Sequence, residues 1–147
     1  GTVNFTGTGV SYIYSYDDDA SFNRLGIYKS GGGYAEHSDA SIYPLRTNNY
    51  FYLHSNSEFR SNTSQPIIVK GYFSKATTAT CNLNMGTIVM DGTATNIYFN
   101  GAGWFHDLTI NKTAAQVNAT RAFPVKGELD VQSGTFNTNN YLIAVGP

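Results

Sequence analysis

The sequence predicts an all-β protein, and three observations carry that expectation. Short apolar alternations recur along the chain, separated by Gly, Asn, Ser and Thr, the pattern of strands bounded by turns. No window holds a sustained i, i+3, i+4, i+7 apolar stripe, so helical and α/β architectures find no support. The composition agrees: 11 Tyr, 9 Phe and 15 Gly among 147 residues suit half-buried pleated surfaces joined by tight corners.

Taken in order, strands are predicted at 3–5, 10–16, 25–28, 42–45, 50–53, 67–73, 88–90, 96–99, 108–110, 122–125, 129–131 and 141–145. Val3 and Phe5 flank Asn4, and Tyr12, Tyr14 and Tyr16 alternate along the second segment. Tyr50 and Tyr52 interleave with Phe51 and Leu53, so the two sets face opposite sides. In 108–110 and 125–131 the apolar residues point inward while Thr109, Lys126, Glu128 and Asp130 face water. Gly127 and Gly134 fit corners, and Asn139-Asn140 fits another because Asn tolerates left-handed backbone.

The chain also repeats itself. The segment Phe22-Asn23-Arg24-Leu25-Gly26-Ile27-Tyr28-Lys29 returns as Phe105-His106-Asp107-Leu108-Thr109-Ile110-Asn111-Lys112, an offset of 83 residues (105 − 22). Two divergent repeats, 1–85 and 86–147, follow from that match. Two all-β architectures accommodate them. One is a solenoid whose coils of about 20–30 residues stack on one another; the other is a tandem pair of antiparallel β-sandwich domains. The second repeat, 62 residues (147 − 86 + 1), is short for a sandwich of about 100 residues, which favours a single solenoid segment over 1–147.

Three stretches carry a resemblance: Phe105 to Lys112; then Phe123-Pro124-Val125-Lys126-Gly127-Glu128-Leu129-Asp130-Val131 with Ser133-Gly134-Thr135-Phe136; then Asn140 to Gly146. They resemble the coil repeats of large secreted surface proteins of Bacteroidetes-type bacteria, read as F-x-x-L-x-I, V-x-G-x-L-x-L and S-G-x-F. The resemblance implies a right-handed parallel β-helix, export to the cell surface, and adhesive or structural duty. It covers the second repeat, and in the first it is carried mainly by Phe22 to Lys29.

Charge and cysteine narrow the functional classes. A net charge of −1 with 13% charged residues leaves no basic stripe for phosphates, so nucleic acid is not an expected partner. The lone Cys81 cannot form an internal bridge, and no Cys-His pattern marks it as a nucleophile. No apolar run is long enough to span a membrane as a helix. The opening Gly1-Thr2-Val3 reads as an excerpt of a longer exported chain. Both end segments read as ordinary strands without polar caps, which predicts self-association or neighbouring coils.

Candidate chemistry is sparse. Asp17, Asp18 and Asp19 offer carboxylates to Ca²⁺, although their spacing matches no Ca²⁺ loop and a solvated corner is the simpler account. Glu36-His37-Ser38-Asp39 gathers acid, base and hydroxyl, but no nucleophile turn accompanies it. The expectation is therefore a protein that is not an enzyme and carries no cofactor; a polysaccharide-cleaving β-helix would require clustered charges on one face. Tyr12, Tyr14, Tyr16, Tyr50, Tyr52 and Trp104 remain as binding residues, able to stack on glycans or to join subunits. The expected function is an extracellular or cell-surface structural or adhesive segment, self-assembling into a filament or surface layer, with carbohydrate binding as the alternative.

Overall fold

The computed structural model describes residues 1–92 and 95–147. Its described residues form strands and no helix, wound into a parallel β-solenoid of about six turns. The first two coils place β1 (Thr2–Gly7) and β3 (Phe22–Lys29) on a long face, with β2 (Ser11–Ile13) and β4 (Tyr34–His37) on a second. The third adds β5 (Leu45–Leu53) and β6 (Glu58–Ser61). In the fourth and fifth coils the long strand divides, into β7 (Ile67–Val69) and β8 (Tyr72–Lys75), then β10 (Thr87–Asp91) and β11 (Asn96–Phe99), with β9 (Thr80–Leu83) between them on the second face. β12 (Asp107–Ala119), β13 (Phe123–Val125), β14 (Leu129–Asn137) and β15 (Ile143–Val145) complete the stack.

Every registered strand pair is parallel, which replaces the antiparallel sandwich alternative. β5 pairs with both β7 and β8, and β12 with both β10 and β11. The long face is thus one sheet with a seam through its middle. Part of that seam has a clear cause: a Cβ on Gly71 would run into the backbone of Asn49 in the coil before. The second face continues through isolated bridges Asn82 to Trp104 and Phe105 to Val125 into β13 and β15.

Register turns alternation into columns. Leu45, Ile67, Ile88, Leu108 and Leu129 form one inward column. Val3, Leu25, Phe51, Phe73, Ile97 and Ala119 form another. Phe59 and Phe105 reach across from the second face and meet the second column edge-on, at 4.9 Å for Phe51–Phe59 and 5.1 Å for Phe73–Phe105, and Phe123 lies edge-on to Phe105 at 5.3 Å. Such T-shaped contacts let rings from two sheets interlock without leaving voids.

Registered partners step by 26 residues from Leu25 to Phe51, 22 from Phe51 to Phe73 and 20 from Ile88 to Leu108. The coil is therefore the stacking unit, and the 83-residue offset spans about four of them. Leu25 and Leu108 fall in different columns of the same face.

Three lysines lie inside the stack. Lys29 donates to Thr6 O at 3.0 Å and Ser11 Oγ at 2.7 Å, and Lys75 donates to Asn100 O at 2.7 Å. Lys75 stands in an inward column between Leu53 and Phe99, where burial lowers its pKa. Lys112 is buried with no hydrogen-bond partner for Nζ among the described residues.

β4, β6 and β9 go unpredicted by the alternation, and Ile42 of the predicted 42–45 strand is an exposed loop residue. Gly134 lies within β14 at a register shift against β12 rather than at a corner, with φ 84°. Gly127 lies close against the Asp107 carboxylate, which accepts from Glu128 N at 2.8 Å, and a Cβ there would displace it. Asn139 and Asn140 do turn a corner with φ 50° and 65°.

Candidate functional site

The register that stacks the core also aligns what faces out. On the half of the long face built by the C-terminal ends of its strands, one outward row runs Arg24, Tyr50, Tyr72, Asn96, Asn118, Asn137. The next runs Asn4, Gly26, Tyr52, Ser74, Tyr98. Tyr50 and Tyr72, both half-buried, stack at 4.8 Å and 15°. Tyr98 meets Tyr72 perpendicular at 5.8 Å and accepts a hydrogen bond from Asn96 Nδ2 at 3.1 Å through its hydroxyl. Burial and the Tyr50 hydroxyl beside it raise the Tyr72 pKa.

At the N-terminal side of this strip the Arg24 guanidinium lies 4.7 Å over Tyr50. Tyr28 stacks on His54 at 4.9 Å and packs against Gly26, where a Cβ would collide with Tyr28 Cε2. Glycine here gives the ring room to lie close to the sheet. Tyr50 and Tyr52, singled out from the sequence, both face outward, and the fold adds Tyr28, Tyr72 and Tyr98 to them. Those three belong to other coils. The signal that finds them is aromatic recurrence at the coil length, as in the 22-residue step from Tyr50 to Tyr72.

The other half of the long face differs in charge. Its outward rows carry Arg46, Lys70, Asp91, Asp107 and Asp130. Arg46 grips the acidic turn: Nη2 donates to Asp18 Oδ1 at 2.6 Å and Nε to Asp18 O at 2.8 Å. The Asp17 carboxylate accepts from Asp19 N at 3.0 Å. Of the three carboxylates proposed for Ca²⁺, one is thus an ion-pair partner and one a turn acceptor. No group of three or more His, Cys, Asp or Glu suited to a metal ion occurs among the described residues. A polar cleft of about 320 Å³ between Asp18, Asp19, Ser21, Arg46, Asn48 and Lys70 opens here.

The second face holds the remaining predicted residues. Tyr12, Tyr14 and Tyr16 are exposed and follow one another at ring separations of 6.2 and 5.7 Å, the last pair stacked at 8°. The pKa of Tyr12 is raised chiefly by Tyr34. Arg60 caps the Tyr34 ring at 3.7 Å and donates to Glu58 at 2.6 Å, a bond that holds its proton more firmly. Trp104 lies farther along this face with the Lys126 ammonium 3.6 Å over its ring. It is half-buried, and the structure does not bring it together with the tyrosines.

The Glu36 to Asp39 cluster separates on folding. His37 points into the stack, fully buried, with Nε2 3.4 Å from Ser15 Oγ and no partner for Nδ1 among the described residues. Burial pushes its pKa down to about 4. Glu36 accepts from Asn62 instead, and Asp39 from Ser38. Cys81 is fully buried, its thiol pushed up to about 12 by desolvation. No helix among the described residues is long and apolar enough to cross a membrane. No family model matches the chain, and no curated protein or solved structure matches it either.

Proposed function

We propose that this chain is a structural or adhesive solenoid segment of the cell exterior, working through its outer faces. The observation that carries the reading is the in-register tyrosine strip, Tyr50 on Tyr72 with Tyr98 across it, on the outside of a stack with a continuous apolar core. Tyrosine offers large, rigid contact area with a polar tip, the property that serves attachment between surfaces. The resemblance to exported Bacteroidetes-type coil repeats points the same way, and the few charges of the chain fit an uncharged partner or another copy of itself. Electron microscopy of the isolated protein at near-physiological salt tests the scaffold role. Regular filaments or laterally joined rods are expected; dispersed particles that adhere to no surface overturn it.

Carbohydrate binding is the second reading, favoured by the exposure of Tyr14 and Tyr16 and by the half-open face of Trp104. Nothing in this reading requires catalysis or a cofactor.

A further inference from the structure

The two halves of the long face differ chemically although they belong to the same strands. Outward residues near the strand N-termini include Arg46, Lys70, Asp91, Asp107 and Asp130, whereas the registered outward rows on the other half carry one formal charge, Arg24. That guanidinium is spent on the Tyr50 ring. What remains on this half is phenol, amide, hydroxyl and the imidazole of His54 stacked with Tyr28.

We infer that the uncharged half of the long face is the binding site for a neutral, hydroxyl-rich polysaccharide lying along the solenoid axis. Three features select that ligand. The residues recur once per coil, and neighbouring strands of a sheet are about 4.8 Å apart, so a polymer laid along the axis meets a similar group at each step. The groups exposed at those steps are tyrosine hydroxyls and side-chain amides, donors and acceptors both, which match sugar hydroxyls. The perpendicular setting of Tyr98 against Tyr72, and the close seating of Tyr28 on Gly26, put aromatic surface beside those polar tips. A polyanion would find one arginine here and a polycation no carboxylate, so charge gives neither of them purchase. A nucleic acid is disfavoured on the same ground.

The inference rests on the reading of the outer faces as attachment surfaces, and its test separates the two. The protein is run through affinity gels containing mixed-linkage β-glucan, galactomannan or polygalacturonate, with and without about 1 M salt, where the Debye length is ~3 Å. Retardation by a neutral gel, unaffected by salt, is expected. The Tyr72→Ser/Tyr98→Ser variant is expected to lose affinity about tenfold or more, the scale of one or more lost aromatic contacts. Tyr72→Phe/Tyr98→Phe, which keeps the rings and guards against a folding defect, weakens binding through the lost hydroxyls alone. Asp130→Asn on the charged half of the long face leaves it unchanged, and Tyr14→Ser/Tyr16→Ser asks whether the second face takes part. Preference for polygalacturonate, or unchanged binding by both Tyr72/Tyr98 variants, overturns the inference. Loss in the Tyr14/Tyr16 variant moves glycan binding to the other face and overturns it too. If no neutral gel retards the wild-type protein the inference fails, while filaments in the microscope would leave the scaffold reading standing.

Discussion

His37 sets a measurable limit on the acid stability of this fold. It occupies an inward column between Ile13 and Ser61, fully buried, with Nδ1 unpartnered among the described residues. Its pKa falls from 6.5 to about 4 because burial penalises the imidazolium. Between those values the unfolded chain binds a proton that the folded chain refuses, so stability is lost as pH falls from about 6.5 toward 4. A difference of about 2.5 pH units corresponds to about 3 kcal/mol at 1.36 kcal/mol per unit, most of it spent by about pH 4.5. Carboxylates titrate in the same range, so the measurement is a double difference. Urea unfolding of the wild type and of His37→Leu is compared at about pH 7.5 and about pH 4.5. Leucine is apolar and sits in a column that already holds Ile13 and Leu83. The variant is expected to lose about 2.5 kcal/mol less than the wild type over that interval. Equal losses in the two proteins would refute the assignment of the proton to His37.

Other expectations follow from packing. Gly71→Ala places a Cβ against the Asn49 backbone and is expected to cost about 3 kcal/mol or more, read as a lower urea midpoint; a neutral result would mean that the seam between β7 and β8 is slack. Phe105→Ala empties the junction where Phe73, Phe99 and Phe123 meet and is expected to cost about 3–5 kcal/mol by the same assay. Lys75→Met keeps the stem between Leu53 and Phe99 and removes a buried charge. It is expected to be neutral or stabilising by about 1 kcal/mol, whereas a large loss would show that the bond to Asn100 O organises the corner. Cys81, with its thiol near 12 and fully buried, is expected to react with an aromatic disulfide reagent at mildly alkaline pH only after unfolding.

Much of the long face was legible because its inward residues are apolar. Leu25 with Ile27, and Phe51 with Leu53, declare their side by alternation alone. β4, β6 and β9 were hidden for the complementary reason: their inward positions hold Ala35, His37, Ser61 and Cys81 beside Phe59 and Leu83, so no clean apolar period survives. His37, grouped in the sequence with Glu36, Ser38 and Asp39, is a buried polar filler of the stack. The aromatic strip was half legible. Alternation placed Tyr50 and Tyr52 on one side, but joining them to Tyr72 and Tyr98 requires the coil length, and the strongest internal match, at 83 residues, concealed steps of 20–26.

The columns also explain how one chain presents two chemically different strips on a single sheet. In a parallel stack a residue's neighbours across coils sit at the same depth and on the same side, so each outward row is a list of residues that pack mainly with each other. The bulge in β5, where Phe22 faces Thr47 but Arg24 faces Tyr50, and the break at Gly71 divide the rows of the long face into two sets. Arg46, Lys70 and Asp91 fall on one side of that seam; Tyr50, Tyr72 and Asn96 fall on the other. Alternation itself runs through the break unchanged: Ile67 and Val69 before it and Phe73 and Lys75 after it all point inward, an even number of residues apart, so Phe73 stays in the core and Tyr72 on the surface. The break at Gly71 therefore separates the two strips without exchanging the faces of the sheet, and the close approach of the Asn49 backbone is what calls for glycine there.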